Sequence, residues 1–171
     1  MAEKITERLL PTIPESAWVA DTATVRGDVT LGEDVSVWFG AVIRGDEAPV
    51  TVGDRTNIQD GAVLHVSGGF PCIVGNEVTI GHRAIVHGCT VEDGALIGMG
   101  SIVLDGAVVG ACAIVGAGAV VPPGMEIPPG TLALGMPAKV VGPLPDKHRA
   151  AGPLAVDHYV ERKEQYRRGE I

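Results

Sequence analysis

Three of the chain's five histidines fall in one short stretch, LHVSGGFPCIVGNEVTIGHRAIVHGCT, from Leu64 to Thr90. They are His65, His82 and His87, spaced H-x16-H-x4-H. Neutral imidazole is the commonest metal ligand and the side chain that titrates nearest neutrality. Three in one run therefore point to metal binding or proton transfer, provided the rings can meet. The Gly-Gly, Phe-Pro and β-branched residues exclude a helix, and with it the familiar i,i+4 helical zinc pair. Another periodicity must bring them together.

That periodicity is six. From Val91 the chain reads VEDGAL, IGMGSI, VLDGAV, VGACAI, VGAGAV, VPPGME, IPPGTL. Each unit opens on Val or Ile, and the fifth place is small at Ala95, Ser101, Ala107, Ala113 and Ala119. Further units open at Val19, Val25, Leu31, Val37 and Ile43, then three follow from Val52 and three from Val74, making 18 in all. The fourth place repeatedly holds a turn-tolerant residue, among them Asp28, Asp34, Gly40, Gly61, Gly94, Gly100, Gly106, Gly118, Gly124 and Gly130. Ordinary amphipathic strands alternate with period two and would not keep a turn former in unit after unit. A short strand followed by a sharp corner, repeated, explains both features.

The pattern resembles the left-handed parallel β-helix of hexapeptide-repeat proteins, in which three units make one triangular coil. The implied fold is an all-β solenoid of about six coils, with the opening aliphatics facing inward and rungs about 4.8 Å apart. Three phase breaks interrupt it: Ile43 to Val52 is nine residues, Leu64 to Val74 ten, and Val86 to Val91 five. The first two predict loops leaving the coil around GDEAPVT and SGGFPC, and loops on a rigid scaffold commonly carry function.

Counting units places the histidines. Arg44, His65 and His87 are each the second residue of a unit, three units apart, and so form one column on successive coils. On the next face Asp60 and His82 are third residues, also one coil apart. His65 and His87 are then neighbours able to close on one metal at ~2.0–2.1 Å. His82 lies around a corner, five extended residues or roughly 16 Å of chain from His87. It is expected to complete the same kind of site on a neighbouring subunit. A three-fold homotrimer satisfies every face at once, with three equivalent sites that each take two histidines from one chain and one from the next.

Beyond the repeat, the residues RGDE at Arg44 to Glu47, GDRTNIQDGAVLH from Gly53, IGH at Ile80, VHGC at Val86 and IGMGSIVLDGAVV from Ile97 resemble the γ-class carbonic anhydrases. The resemblance covers nearly the whole chain. It implies that His65, His82 and His87 ligate zinc and leave the fourth position to a water whose pKa falls to around 7. The hydroxide so formed would hydrate carbon dioxide to bicarbonate. It implies that Gln59 orients hydroxide or substrate, that Arg44 and Asp46 form an interfacial ion pair joined by Asp60 of a neighbour, and that Glu47, at a fifth place, relays protons. The archaeal members carry a long acidic shuttle loop after the first ligand, whereas SGGFPC here holds no acid. Iron or cobalt would also suit three histidines. The alternatives are a coenzyme A-dependent acyltransferase on the same solenoid, or a metal-binding or thioesterase-like protein with little carbonic anhydrase activity.

Composition agrees with a single core built from small aliphatics: of 171 residues 46% are hydrophobic, only 4% aromatic, and 24 are glycine. Thirteen Lys and Arg against 21 Asp and Glu give a net charge of −8, which argues against a nucleic-acid surface. MAEKITERLLPTIPESAW has no apolar signal region, no run approaches the ~20 apolar residues of a membrane span, and Cys72, Cys89 and Cys112 do not make a disulfide framework. A reduced, cytoplasmic protein is expected. Residues 1–142 are read as the solenoid with a short lead-in, and 143–171 as a linker and a C-terminal α-helix. Val156, Tyr159, Val160 and Tyr166 fall at helical spacing on that helix, which is expected to pack on the solenoid and cap its strand edges, with Tyr159 as core or, in the alternative, approaching a neighbouring metal site. His148 and His158 are read as surface residues.

Overall fold

The computed structural model describes residues 10–146 and 151–171. It is a left-handed parallel β-solenoid of about six coils with one C-terminal helix among the described residues. The first face stacks Trp18–Val19, Ser36–Val37, Asn57–Ile58, Thr79–Ile80, Leu96–Ile97, Ile114–Val115 and Thr131–Leu134, all parallel. The second face runs through Val63–His65, Ile85–His87, Ile102–Val103 and Val120–Val121. The third runs through Cys72–Val74, Thr90–Val91, Val108–Val109 and Glu126–Ile127. In the early coils Thr24–Leu31 and Val42–Val52 are single strands that serve both of these faces.

The hexad explains this build. The opening residues Val37, Ile58, Ile80, Ile97 and Val115 of the first face are completely buried, as are Ile43, Leu64, Val86, Val103 and Val121 of the second. They stack into one continuous core with the small fifth residues Ala62, Ala84, Ala95, Ala107 and Ala113. The fourth place turns the corner in the left-handed region, and it does so even without glycine: Asp34, Arg55, Glu77, Arg83 and Cys112 have φ between 55° and 57°. Position in the repeat overrides the cost that a side chain carries in that conformation.

The phase breaks resolve differently from expectation in one case. GDEAPVT is not a loop but part of the strand Val42–Val52, which pairs with Thr24–Leu31 through a register shift between Gly27 and Val29. The three extra residues are absorbed as a bulge opposite Asp28. Gly27 and Gly45 lie back to back there: a Cβ on Gly27 would sit 2.1 Å from the Gly45 carbonyl oxygen. Because Val50, fully buried, pairs in line with Val29, the fifth place belongs to Val50 rather than Glu47. Glu47 sits in the bulge and is exposed. SGGFP is a loop, closed by the Phe70 amide donating to the Ser67 carbonyl at 2.9 Å, while Cys72 already begins the next strand.

The helix spans Ala151–Arg167, beginning three residues before Leu154 with Pro153 tolerated in its first turn. It lies across Ser36–Val37, Asn57–Ile58 and Thr79–Ile80 and reaches Trp18 of the face's first strand, without pairing either edge. The end of that face is instead paired by the antiparallel strand Lys139–Pro143 on Thr131–Leu134. An aromatic cluster explains the choice: Tyr166 packs against Trp18, Trp38 and Phe39 at 5.3–5.5 Å, and Tyr159 meets Trp38 edge-on at 5.1 Å. Val156 of the same helix is buried. Lys163, which no hydrophobic pattern flags, is fully buried, its ammonium donating to Ser16 O and Asp34 Oδ1 at 3.0 and 2.9 Å and paired with Glu164. No described helix is long and apolar enough to cross a membrane.

Candidate metal centre

On the second face Val63, Leu64 and His65 pair in register with Ile85, Val86 and His87, so the two imidazoles stand on adjacent rungs. Their rings lie 4.9 Å apart, and His65 Nδ1 faces His87 Nε2 at 2.9 Å. The outer nitrogen of each ring meets a carboxylate. His65 Nε2 lies 3.0 Å from Asp46 Oδ1, and His87 Nδ1 lies 2.5 Å from Asp105 Oδ1. Asp46 is also paired with Arg44, and Asp105 Oδ2 accepts the Ser67 hydroxyl at 3.0 Å. The result is a hydrogen-bonded line running Arg44, Asp46, His65, His87, Asp105, Ser67.

Both carboxylates are held ionised. Desolvation pushes the Asp46 carboxyl up, but hydrogen bonds from His65 and Arg44 outweigh it and leave it below the usual range. The His87 hydrogen bond lowers Asp105, against a smaller desolvation and with help from Ser67. A carboxylate can only accept, so these two contacts are satisfied when His65 Nε2 and His87 Nδ1 carry the ring protons. With both rings neutral, the two inner nitrogens face each other with lone pairs. In that arrangement a proton or a metal ion between the rings relieves the facing lone pairs, and two neutral imidazoles with carboxylate-held outer N–H groups are a donor set that suits zinc.

His82 lies on the first face. Its Nδ1 is 2.9 Å from Asp60 Oδ2, so the same carboxylate arrangement fixes it, here with the acid of the preceding coil. Its Nε2 is 3.5 Å from the Tyr159 hydroxyl of the C-terminal helix. Burial, then the charge of Asp60, raises the Tyr159 phenol above its ordinary value and keeps it protonated. Tyr159 thus both packs in the aromatic cluster and reaches a histidine of its own chain. Gln59 is buried beside them: its Oε1 accepts the His82 amide at 3.2 Å and its Nε2 donates to Asn57 Oδ1 at 3.0 Å. In the single chain it braces the backbone of His82. Asp60 is paired with His82 and Arg44 with Asp46. Among the described residues no three His, Cys, Asp or Glu side chains surround a common metal position.

Glu47 accepts the Gly68 amide at 3.1 Å, so the bulge and the SGGFP loop are tied together beside the histidine pair. Asp105 and Ser67 were not singled out by the repeat. Asp105 is the third residue of its unit, one coil beyond His87, and it fits because Gly88 has no side chain: a Cβ there would meet Asp105 Oδ1 at 2.3 Å. A glycine directly after a column histidine, with an acid one coil on, was the available signal. His158 is exposed, and His148 lies outside the described residues.

Residues 88–123 match the bacterial transferase hexapeptide family, described as six repeats. Over 157 residues the chain is 50% identical to a carbonic anhydrase from Geobacillus kaustophilus, covering 92% of this chain and 86% of that one. It is 54% identical over 157 residues to YtoA, named an uncharacterized transferase, from Bacillus subtilis, covering 92% of each. The crystal structure of a hexapeptide transferase family protein from Anaplasma phagocytophilum superposes with a TM-score of 0.89 at 35% identity, covering 92% of this chain and 93% of that one.

Proposed function

Because the chain belongs to the γ-class carbonic anhydrase-like family of hexapeptide-repeat proteins, we propose that it is a zinc enzyme for the reversible hydration of carbon dioxide, working as a homotrimer. The observation that carries this reading is the His65–His87 pair, whose inner nitrogens face each other at 2.9 Å while Asp46 and Asp105 hold the outer ones. In the proposed assembly His65 and His87 of one copy and His82 of the next hold the metal. Zinc held by three neutral imidazoles supplies a Lewis acid that brings the pKa of water down to around 7.

The chain's own residues do the rest. Asp46, Asp105 and Asp60 each accept the outer proton of one histidine, which keeps its other nitrogen open and its ring fixed. Arg44 balances Asp46, and Gln59 and Asn57 hold the backbone beneath His82. The Tyr159 hydroxyl stays protonated 3.5 Å from His82 Nε2 and would turn its proton away from that nitrogen where the metal is held. Glu47 receives one amide hydrogen bond from Gly68 and presents its exposed carboxylate to move protons between the site and solvent. With no acid in SGGFP, Glu47 carries that task without the help of a loop.

Wild-type protein and His82→Ala, purified aerobically and anaerobically, test the reading by metal analysis, oligomer mass and stopped-flow carbon dioxide hydration. A trimer with one zinc per chain, emptied by His82→Ala, is expected. Full zinc retention in His82→Ala sinks the shared site, and iron in the anaerobic protein replaces zinc. Metal-loaded trimer inert toward carbon dioxide sinks the activity. The transferase names of two of the relatives support acyl transfer from coenzyme A thioesters as the second reading. Turnover of acetyl-coenzyme A that survives loss of the metal would favour it.

A further inference from the structure

We propose that Asp105, braced by Ser67, is a positioning residue that switches the His65–His87 pair into its metal-accepting state. The proposal rests on the metal reading above and extends it to residues outside the ligand set. His87 comes from one coil, Asp105 from the next, and Ser67 from the loop that follows His65, so three separate coils converge on one carboxylate. The space for it is made by Gly88, where any Cβ would overlap Asp105 Oδ1 at 2.3 Å. The Phe70 ring closes the same corner, 3.2 Å from a Cβ built on Gly106.

The pair has two neutral states. In the closed state His87 carries its proton on Nε2 and donates it to His65 Nδ1, 2.9 Å away, so each inner nitrogen is satisfied and neither is free. In the open state His87 carries its proton on Nδ1, and both inner lone pairs are available. The closed state leaves His87 Nδ1 as an acceptor facing Asp105 Oδ1, itself an acceptor, at 2.5 Å. That contact is repulsive; the open state sets two neutral lone pairs face to face at 2.9 Å instead, a weaker repulsion than a lone pair against a full carboxylate charge, so Asp105 selects the open state. The Ser67 hydroxyl, donating to Asp105 Oδ2 at 3.0 Å, holds the carboxylate in line. At the other end Asp46 acts on His65 Nε2 in the same way, but it shares its charge with Arg44, whereas Asp105 pairs with no Arg or Lys among the described residues.

Asp105→Asn tests this with little change in shape. The amide can donate to His87 Nδ1, which moves the histidine proton to Nε2 and closes the pair. Metal-free wild-type and variant proteins are titrated with zinc against a chromophoric chelator. Long-range proton–nitrogen-15 spectra of the same metal-free samples report which His87 nitrogen is protonated, and sedimentation checks assembly. The expected result is a loss of about 10–100-fold in zinc affinity, together with a His87 proton that sits on Nδ1 in wild type and on Nε2 in the variant, with unchanged oligomer mass. Ser67→Ala, which keeps the carboxylate, should move affinity in the same direction by a smaller factor, and it serves if Asp105→Asn does not fold. Unchanged zinc affinity in both variants, or a wild-type His87 proton on Nε2, overturns the proposal. Wild-type protein that binds no zinc would instead overturn the metal reading, while the nitrogen spectra still decide what Asp105 does to His87.

Discussion

The first and second faces of the solenoid are built from the same hexad, yet the chain finishes them differently. On the first, the C-terminal helix covers the sheet with Tyr159 and Tyr166 against Trp18 and Trp38, and Lys163 is sealed beneath it. On the second, the outward residues Val42, Val63, Ile85, Ile102 and Val120 form a half-buried apolar row that no described element covers. Each face holds histidines fixed by carboxylates: His82 by Asp60 on the covered one, His65 and His87 by Asp46 and Asp105 on the open one. The difference teaches that covering a face and finishing a site are separate tasks. The helix completes packing on one side, and a neighbouring copy is proposed to complete the other.

The sharpest way to break this comparison is to place a charge in the open row. Ile85→Glu should leave the fold intact by circular dichroism yet convert the proposed trimer to monomer by sedimentation, with the proposed zinc lost alongside. A persistent trimer would mean that the second face is not the interface. Next in size is Glu47→Gln, for which proton transfer in the proposed hydration of carbon dioxide should slow by roughly 10²-fold. Added imidazole buffer should restore the rate, and an unaltered rate would return Glu47 to its observed role of holding Gly68.

On the covered face, Lys163→Ala should lower stability by about 1–3 kcal/mol in urea denaturation, since it removes charge-assisted hydrogen bonds between the helix and the first coils. A change confined to the open-face assembly would contradict the helix's assignment to the first face. The smallest effect concerns acid. Hydrogen bonding and charge from Lys163 hold Glu164 below its usual pKa, outweighing desolvation. A carboxyl lowered on folding contributes its full stability above the unfolded value of about 4.3 and loses it as pH falls through the folded value. The urea midpoint should therefore drop between about pH 5 and pH 3 by less in Lys163→Ala than in wild type; an identical drop would exclude the pair as a source.

Much of the fold was legible because a solenoid converts counting into position. Three hexads make a coil, so His65 and His87 could be placed on neighbouring rungs and His82 beside Asp60 without any knowledge of side-chain contacts. Where the count changes, the pattern says that something must give but not what. The nine-residue step at Ile43 became a bulged strand, because Gly27 and Gly45 let two backbones touch, and Glu47 lost the fifth place to Val50. The helix was visible as a helix, but its seat was not, because Trp18 and Trp38 lie far from Tyr166 in sequence and meet it only in space.

By itself, then, the sequence determined the hexad, the aliphatic core, the corners and the column of histidines, all of which follow from local periodicity. The tertiary structure alone decided which nitrogen of each histidine faces a carboxylate. That depends on Asp46, Asp105 and Asp60 arriving from other strands, on the room left by Gly88, and on Ser67 reaching across from a loop. A repeat fixes where a side chain stands; hydrogen-bond partners distant in sequence fix how its protons are arranged.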